Sequence, residues 1–286
     1  MLVLVGPSFA GGDADYQRLS QVTGMVAYDL RSRLKPGMWG LLKALADEVE
    51  AQRLAASLKA AGLPVVVIAR EVATDPARPI VALKGLRVEG QALTLELRER
   101  AMEVPVAALC CIVRGEAQVG KGGARSAGSA TSSATFRAVV PDASDLQVFR
   151  ESSPPIGFEA FATADLHFHS VPWIARIDAR SFDFRSLGIA AASPASALDT
   201  LVDRLALLGR IRVDRAARAS SIASFTQQAG RHMTPHPHPV PSAQGAPMSQ
   251  RAREISGDER FDPYSRVIGE AERVLAAQLA ATAVKA

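Results

Sequence analysis

The spacing of apolar and polar positions is clearest between residues 38 and 70. An apolar run at 39–46 has the length of a strand. Asp47 after it can accept hydrogen bonds from the free N–H groups at a helix start, and Glu48 and Glu50 suit the positive end of the helix dipole. Ala51, Leu54, Ala55 and Leu58 then recur at i, i+3, i+4 and i+7, which puts one apolar stripe on a helix. Lys59 suits the negative end, and Gly62 can take the left-handed conformation that stops the helix. The β-branched run at 63–69 reads as a buried strand. Ahead of this unit, 2–5 reads as a short strand. Asp13 or Asp15 opens a helix carrying Tyr16, Leu19 and Val22, Gly24 interrupts it, and 26–35 continues until Pro36-Gly37. Residues 1–72 therefore predict β-α-β-α-β, a small α/β sandwich.

A Pro-containing linker at 73–79 separates this unit from a stretch in which the period changes to two. Short strands are expected at 80–88, 92–98, 102–106 and 109–118, with Glu89-Gly90 as a hairpin turn. The Gly/Ser-rich segment at 120–135 reads as a flexible insert. Strands resume at 135–140, 146–149, 158–171 and 173–178. Ser193-Pro194 then opens a helix with an apolar face of Leu198, Leu201, Val202 and Leu205, and Gly209 is its expected cap. Residues 210–257 are rich in Ser, Arg, Pro, Gln and His and read as a disordered linker. Residues 258–286 return to a helical pattern, with Pro263 in the first turn. Its face of Val267, Val274, Leu275 and Leu279 is a candidate interaction surface, either docked on the body or offered to a partner.

The element order of residues 1–72 resembles that of ferredoxin-like small-molecule-sensing or peptidoglycan-binding modules, which share A-x-x-L-x-x-x-G before a strand, the stretch here being Ala55 to Gly62. Residues 79–209 resemble, in element order, a pleckstrin-homology-like half-open barrel plugged by a helix. The expected class is α+β: a small N-terminal sandwich, a β-rich half-barrel with a capping helix, a disordered tail and a terminal helix. Such folds host many unrelated functions.

Composition narrows the function classes. With 48% hydrophobic residues a packed core is feasible, but at 5% aromatics there is little surface for stacking on bases or sugars. A net charge of +4 over 286 residues does not establish nucleic-acid binding. The local run Arg210, Arg212, Arg215 and Arg218, opposed by Asp214, reads as a solvated edge. The two cysteines, Cys110 and Cys111, are adjacent and do not readily bridge, which suits a reducing compartment. The opening residues are too short and uncharged for a signal peptide, and no run approaches the ~20 apolar residues of a membrane span. The expectation is a bacterial, cytoplasmic protein with no integral membrane segment.

Four motifs carry candidate chemistry. Asp165-Leu166-His167-Phe168-His169-Ser170 resembles the opening metal-binding motif of the polymerase-and-histidinol-phosphatase superfamily, which implies His167 and His169 as ligands on one face of a strand. That superfamily needs several later His, Asp and Glu ligands on further strand–helix repeats. The remaining histidines are His232, His236 and His238 in a Pro-rich tract, so two solvent-facing strand histidines are expected instead. That tract could chelate a metal weakly, but no carboxylate or thiol is spaced to close a site. Gly115–Gly122 has Gly122 where a P-loop needs Ser or Thr. Cys110 and Cys111 sit in a buried-strand context with no neighbouring base, one turned to the core and one away.

No catalytic residue and no cofactor are therefore expected. The reading is a non-enzymatic regulatory or scaffolding protein working through contacts with a protein partner, with nucleic acid not an expected partner. The alternatives are a metal-dependent hydrolase through His167 and His169, or a small-ligand sensor with a cleft near residues 6–12 and Trp39.

Overall fold

A computed structural model of the chain describes residues 1–120, 158–215, 222 and 261–283. The fold is α+β, and its first unit follows the local signals closely. Strand β1 (Leu2–Val5) leads to helices α1 (Asp13–Thr23) and α2 (Ala27–Arg33), strand β2 (Gly40–Ala44), helix α3 (Glu48–Ala60) and strand β3 (Val65–Ile68). Asp47 accepts a hydrogen bond from the Val49 N–H at 2.8 Å, as expected of the cap. Gly24 and Gly62 both have positive φ, 70° and 77°, where a side chain would be strained. The strand order is β2-β1-β3, with β1 antiparallel to both neighbours, so β2, α3 and β3 cross over around it.

All four residues of β1 are buried, which requires a cover on each face of the sheet. On one face Val3, Val5 and Val65 meet Leu19, Leu30 and Leu58 of the three helices. Leu2, Leu4, Val66 and Ile68 point the other way.

The second unit holds two sheets. Strands β5 (Gly85–Glu89), β6 (Ala92–Glu96) and β7 (Ala101–Pro105) form an antiparallel meander. Strands β4 (Ile80–Leu83), β8 (Leu109–Gly120), β9 (Phe158–Phe168), β10 (Ile174–Asp178) and β11 (Arg212–Asp214) form a five-stranded sheet in the order β11-β8-β9-β10-β4. The single strand expected at 80–88 is thus two strands in different sheets. They divide at Lys84, whose N–H goes to the Glu96 carbonyl while its own carbonyl accepts from Asp183. Helix α4 (Pro194–Gly209) closes the core between the sheets with Leu198, Leu201, Val202 and Leu205, and the Ser193 hydroxyl caps it by accepting from the Ser196 N–H.

Within the stretch expected as a disordered linker from residue 210, Arg212–Asp214 form a strand, β11, that pairs in parallel with β8. Most of the expected insert at 120–135, the expected strands at 135–140 and 146–149, and residues 216–221 and 223–257 of the tail lie outside the described residues, as do Arg218, His232, His236 and His238.

Helix α5 (Phe261–Ala283) lies between the two units. Val267, Ile268 and Ala271 share one core with Leu2, Leu4, Val66 and Ile68 of the first sheet and with Cys111 and Val113 of β8. Fully burying a side chain such as Ile268 contributes about 1.5–3 kcal/mol. The layers therefore run helices, three-stranded sheet, α5, five-stranded sheet, then α4 with the meander. Among the described residues no helix is long and apolar enough to cross a membrane.

Candidate functional site

Strand β9 alternates. Ala164, Leu166 and Phe168 enter the core under α4, whereas Thr163, Asp165 and His167 face α5. These three polar residues are fully buried, because α5 brings polar groups of its own. Arg176 of β10 makes a two-pronged bond to Asp165, with Nε at 2.7 Å and Nη2 at 2.8 Å, and its Nη1 lies 2.7 Å from Asp262 of α5. The Ser265 hydroxyl donates to Asp165 Oδ2 at 2.6 Å and lies 3.0 Å from His167 Nε2.

Ser, His and Asp side by side invite comparison with a nucleophilic triad, but the order of contacts is wrong for one. A triad needs the carboxylate on the far nitrogen of the imidazole, where it holds the base in place. Here Asp165 sits on the serine instead. His167 Nδ1 has no hydrogen-bond partner among the described residues and lies against Gly269, where an added Cβ would come within 2.0 Å of it. With Ser265 donating to Asp165, Nε2 carries the proton and donates to the serine oxygen.

Burial pushes the His167 imidazole down to about 3, so it is neutral at physiological pH. Burial alone would raise the Asp165 carboxyl. The charge and hydrogen bonds of Arg176, with smaller help from His167 and Ser265, hold it below the ordinary value. Burial likewise opposes the Arg176 charge, but Asp165 and Asp262 keep it protonated more firmly than a free arginine. Apart from His167 Nδ1, the polar groups of Asp165, His167, Arg176 and Ser265 are bonded within the cluster, which joins α5 to the sheet.

The remaining candidates are distributed as follows. His169 is exposed just beyond the end of β9, its backbone N–H bound to the Ala108 carbonyl, so the two expected solvent-facing histidines are in fact one buried and one exposed. The bend past Phe168 and the cover of α5 separate them. No group of three or more His, Cys, Asp or Glu side chains placed to hold a metal occurs among the described residues. Cys111 is buried and Cys110 half-buried, neither in a disulfide. The hydrogen bond with Cys110, together with burial, pushes the Cys111 thiol well up, away from thiolate chemistry.

Trp39 is 1% exposed, and its indole N–H donates to Glu272 of α5 at 2.7 Å. Gly6 beside it is walled by Pro64 and Trp39. The Arg212 Nε also meets Glu272, at 2.9 Å, and Asp214 accepts from the Tyr264 hydroxyl at 2.6 Å, so the expected solvated edge at 210–218 is partly stitched to α5. Of the expected interaction face, Val267 is fully buried in the chain's own core. Val274 and Leu275 pack against that core, and Leu279 is exposed.

An open concavity of about 400 Å³ lies elsewhere, between α4 and β5. Leu201, Arg204, Leu205 and Leu208 form its α4 wall, Arg87, Val88 and Glu89 its β5 wall, and Ser186, Leu187 and Ile189 its end. Leu208 is 44% exposed and its neighbour Leu207 81%, an unusual pair of leucines in water at one helix end. The sequence carried half the signal: Leu201, Leu205 and Leu208 extend the apolar face of α4 to its last turn. That β5 lies opposite is a matter of topology.

The scan of protein-family models finds no match to this chain, and neither do the searches of curated proteins and of solved structures.

Proposed function

We propose that the protein is a non-enzymatic regulatory or scaffolding protein that acts through contacts with a partner protein, and that the groove between α4 and β5 is its contact surface. The observation carrying this reading is an open, leucine-lined groove whose wall includes exposed Leu208, with exposed Leu207 next to it in the chain. Exposed apolar area next to a concavity rimmed by charge is what a binding surface requires. The side chains best suited to chemistry, His167, Asp165, Ser265 and Cys111, are instead covered by α5. Two free cysteines favour a reducing cytoplasm as the setting.

The test is site-specific photo-crosslinking in cells with the reactive group at position 208, and at exposed Val49 as a control. The expected result is a defined adduct at 208 alone, whose protein partner binds the purified chain and loses roughly tenfold or more in affinity to Leu208→Asp at unchanged melting temperature. Identical adducts at both positions, or a reconstituted affinity indifferent to Leu208→Asp, would overturn the groove as the contact surface. About one metal ion per chain retained after dialysis, and lost in His167→Ala/His169→Ala, would overturn the non-enzymatic reading in favour of metal chemistry.

A further inference from the structure

The β5 wall of the groove consists of three consecutive residues, Arg87, Val88 and Glu89. Neighbouring side chains on a strand point to opposite faces, so a cavity that touches all three runs along the edge of the strand. The order β5-β6-β7 puts β6 on the other edge, and among the described residues no strand pairs with this one. Along such an edge alternate residues turn both N–H and C=O outward. The start of β5 is already closed, since Asp183 donates to the Lys84 carbonyl. Gln91 turns its carbonyl to the Val106 N–H, so Ala92 and Thr94 turn their backbone groups to β5 and meet Glu89 and Arg87, and of residues 87–89 only Val88 has its N–H and C=O at the open edge. The opposite edge of the same sheet, β7, ends in Pro105, a residue that discourages pairing, whereas β5 contains no proline.

Facing this edge, Leu201, Arg204, Leu205 and Leu208 are spaced i, i+3, i+4 and i+7 and form one face of α4. Arg204 is exposed and has no carboxylate partner among the described residues. Its guanidinium only reaches the Leu187 carbonyl, at 3.3 Å. Arg87 is paired with Glu96 at 3.1 Å, so Arg204 is the cation of the groove left for a ligand.

We propose that β5 takes up a short extended segment of a partner protein as a fourth strand of the meander. An aliphatic side chain of that segment lies on Leu205 and Leu208, and a carboxylate two residues away, on the same face, meets Arg204. This deepens the contact reading above and rests on it. Main-chain bonds supply affinity in such strand addition, and alternate side chains supply selection.

The test uses the purified full chain and a short capped peptide of alternating threonines, with leucine, valine and aspartate on its other face. A second peptide carries lysine for aspartate, and a third has alternate backbone nitrogens methylated. Strand addition predicts that the parent peptide binds and protects the outward-facing Val88 amide from hydrogen exchange. Methylation should weaken binding roughly tenfold or more, and Arg204→Glu should switch the preference to the lysine peptide. Equal binding of the methylated peptide, or protection confined to α4, overturns strand addition while leaving the groove as a contact surface. No binding of the parent peptide at about 1 mM overturns the proposed segment chemistry whatever the crosslinking at 208 shows. Protection of the Val88 amide on raising the concentration of peptide-free protein makes a second copy the occupant, and overturns a separate partner.

Discussion

At the scale of single residues, the interior under α5 is fitted around one position that looks unremarkable in the sequence. Gly269 stands in the middle of a helix, where alanine would ordinarily be favoured by about 1 kcal/mol. Here an added methyl would strike the His167 ring, so Gly269→Ala is expected to destabilise by about 1–3 kcal/mol. Thermal melts of Gly269→Ala, His167→Ala and the double variant check this. The contact predicts that the second substitution recovers most of the loss caused by the first, and additive losses would refute it.

Arg210 gives the opposite case. The cap expected at Gly209 falls one residue later, on Arg210 at φ 52°, while Gly209 is needed because a Cβ there would lie 2.7 Å from Ile211. Arg210→Gly should therefore raise the melting temperature, by an amount corresponding to about 1 kcal/mol or less, and Gly209→Ala should lower it.

The His167 imidazole also dictates a pH dependence. Its proton affinity in the fold is lowered from 6.5 to about 3, so between those values the unfolded chain binds a proton that the native protein does not. Its contribution to stability is complete above about 6.5 and is lost progressively as pH falls toward 3. Urea unfolding at pH about 7 and about 5 should show a smaller difference for His167→Leu than for the parent protein.

At the scale of elements, legibility follows locality. Asp47, Gly24, Gly62 and Ser193 act within a turn of their own position, and each does what its neighbours in the sequence predict. The polar face of β9 was not legible in the same way. Thr163, Asp165 and His167 alternate with apolar residues, and that pattern is identical whether the polar face meets water or a helix carrying Asp262 and Ser265. The available signals were indirect. One was β1, apolar on both faces with only one cover in its own unit. The other was the glycine pair Gly115 and Gly269, each needed where α5 comes close.

The contact itself can be tested through Arg176, whose charge balances Asp165 and Asp262 together. Arg176→Met leaves the fully buried Asp165 carboxylate without its cation and is expected to cost about 3–5 kcal/mol, read as a fall in the urea midpoint. An Asp165→Asn/Asp262→Asn/Arg176→Met combination should lose much less, because no uncompensated charge remains.

At the scale of the whole molecule, α5 makes one body of what the sequence presents as two units joined by a short linker. Its apolar residues contact both sheets, and Trp39, Glu272 and Arg212 tie the first unit, the helix and β11 to one another. The full chain should therefore unfold in a single cooperative transition seen identically by Trp fluorescence and circular dichroism. Removing residues 261–286 should leave a fragment that binds a hydrophobic dye and aggregates. Two independent melts, or a stable monomeric fragment, would show that the units stand without the helix.

The place of α5 in the chain has a consequence for synthesis. Trp39 and Glu272 are 233 residues apart, and at ~5–20 residues per second a ribosome takes roughly 10–50 s to cover that interval. From the synthesis of Ile68 onward, which is most of that interval, Leu2, Leu4, Val66 and Ile68 form a sheet face with no helix to cover it. Each nascent chain thus passes through a period in which its first sheet is built but adhesive, and the yield of soluble protein depends on what shields that face until the helix emerges.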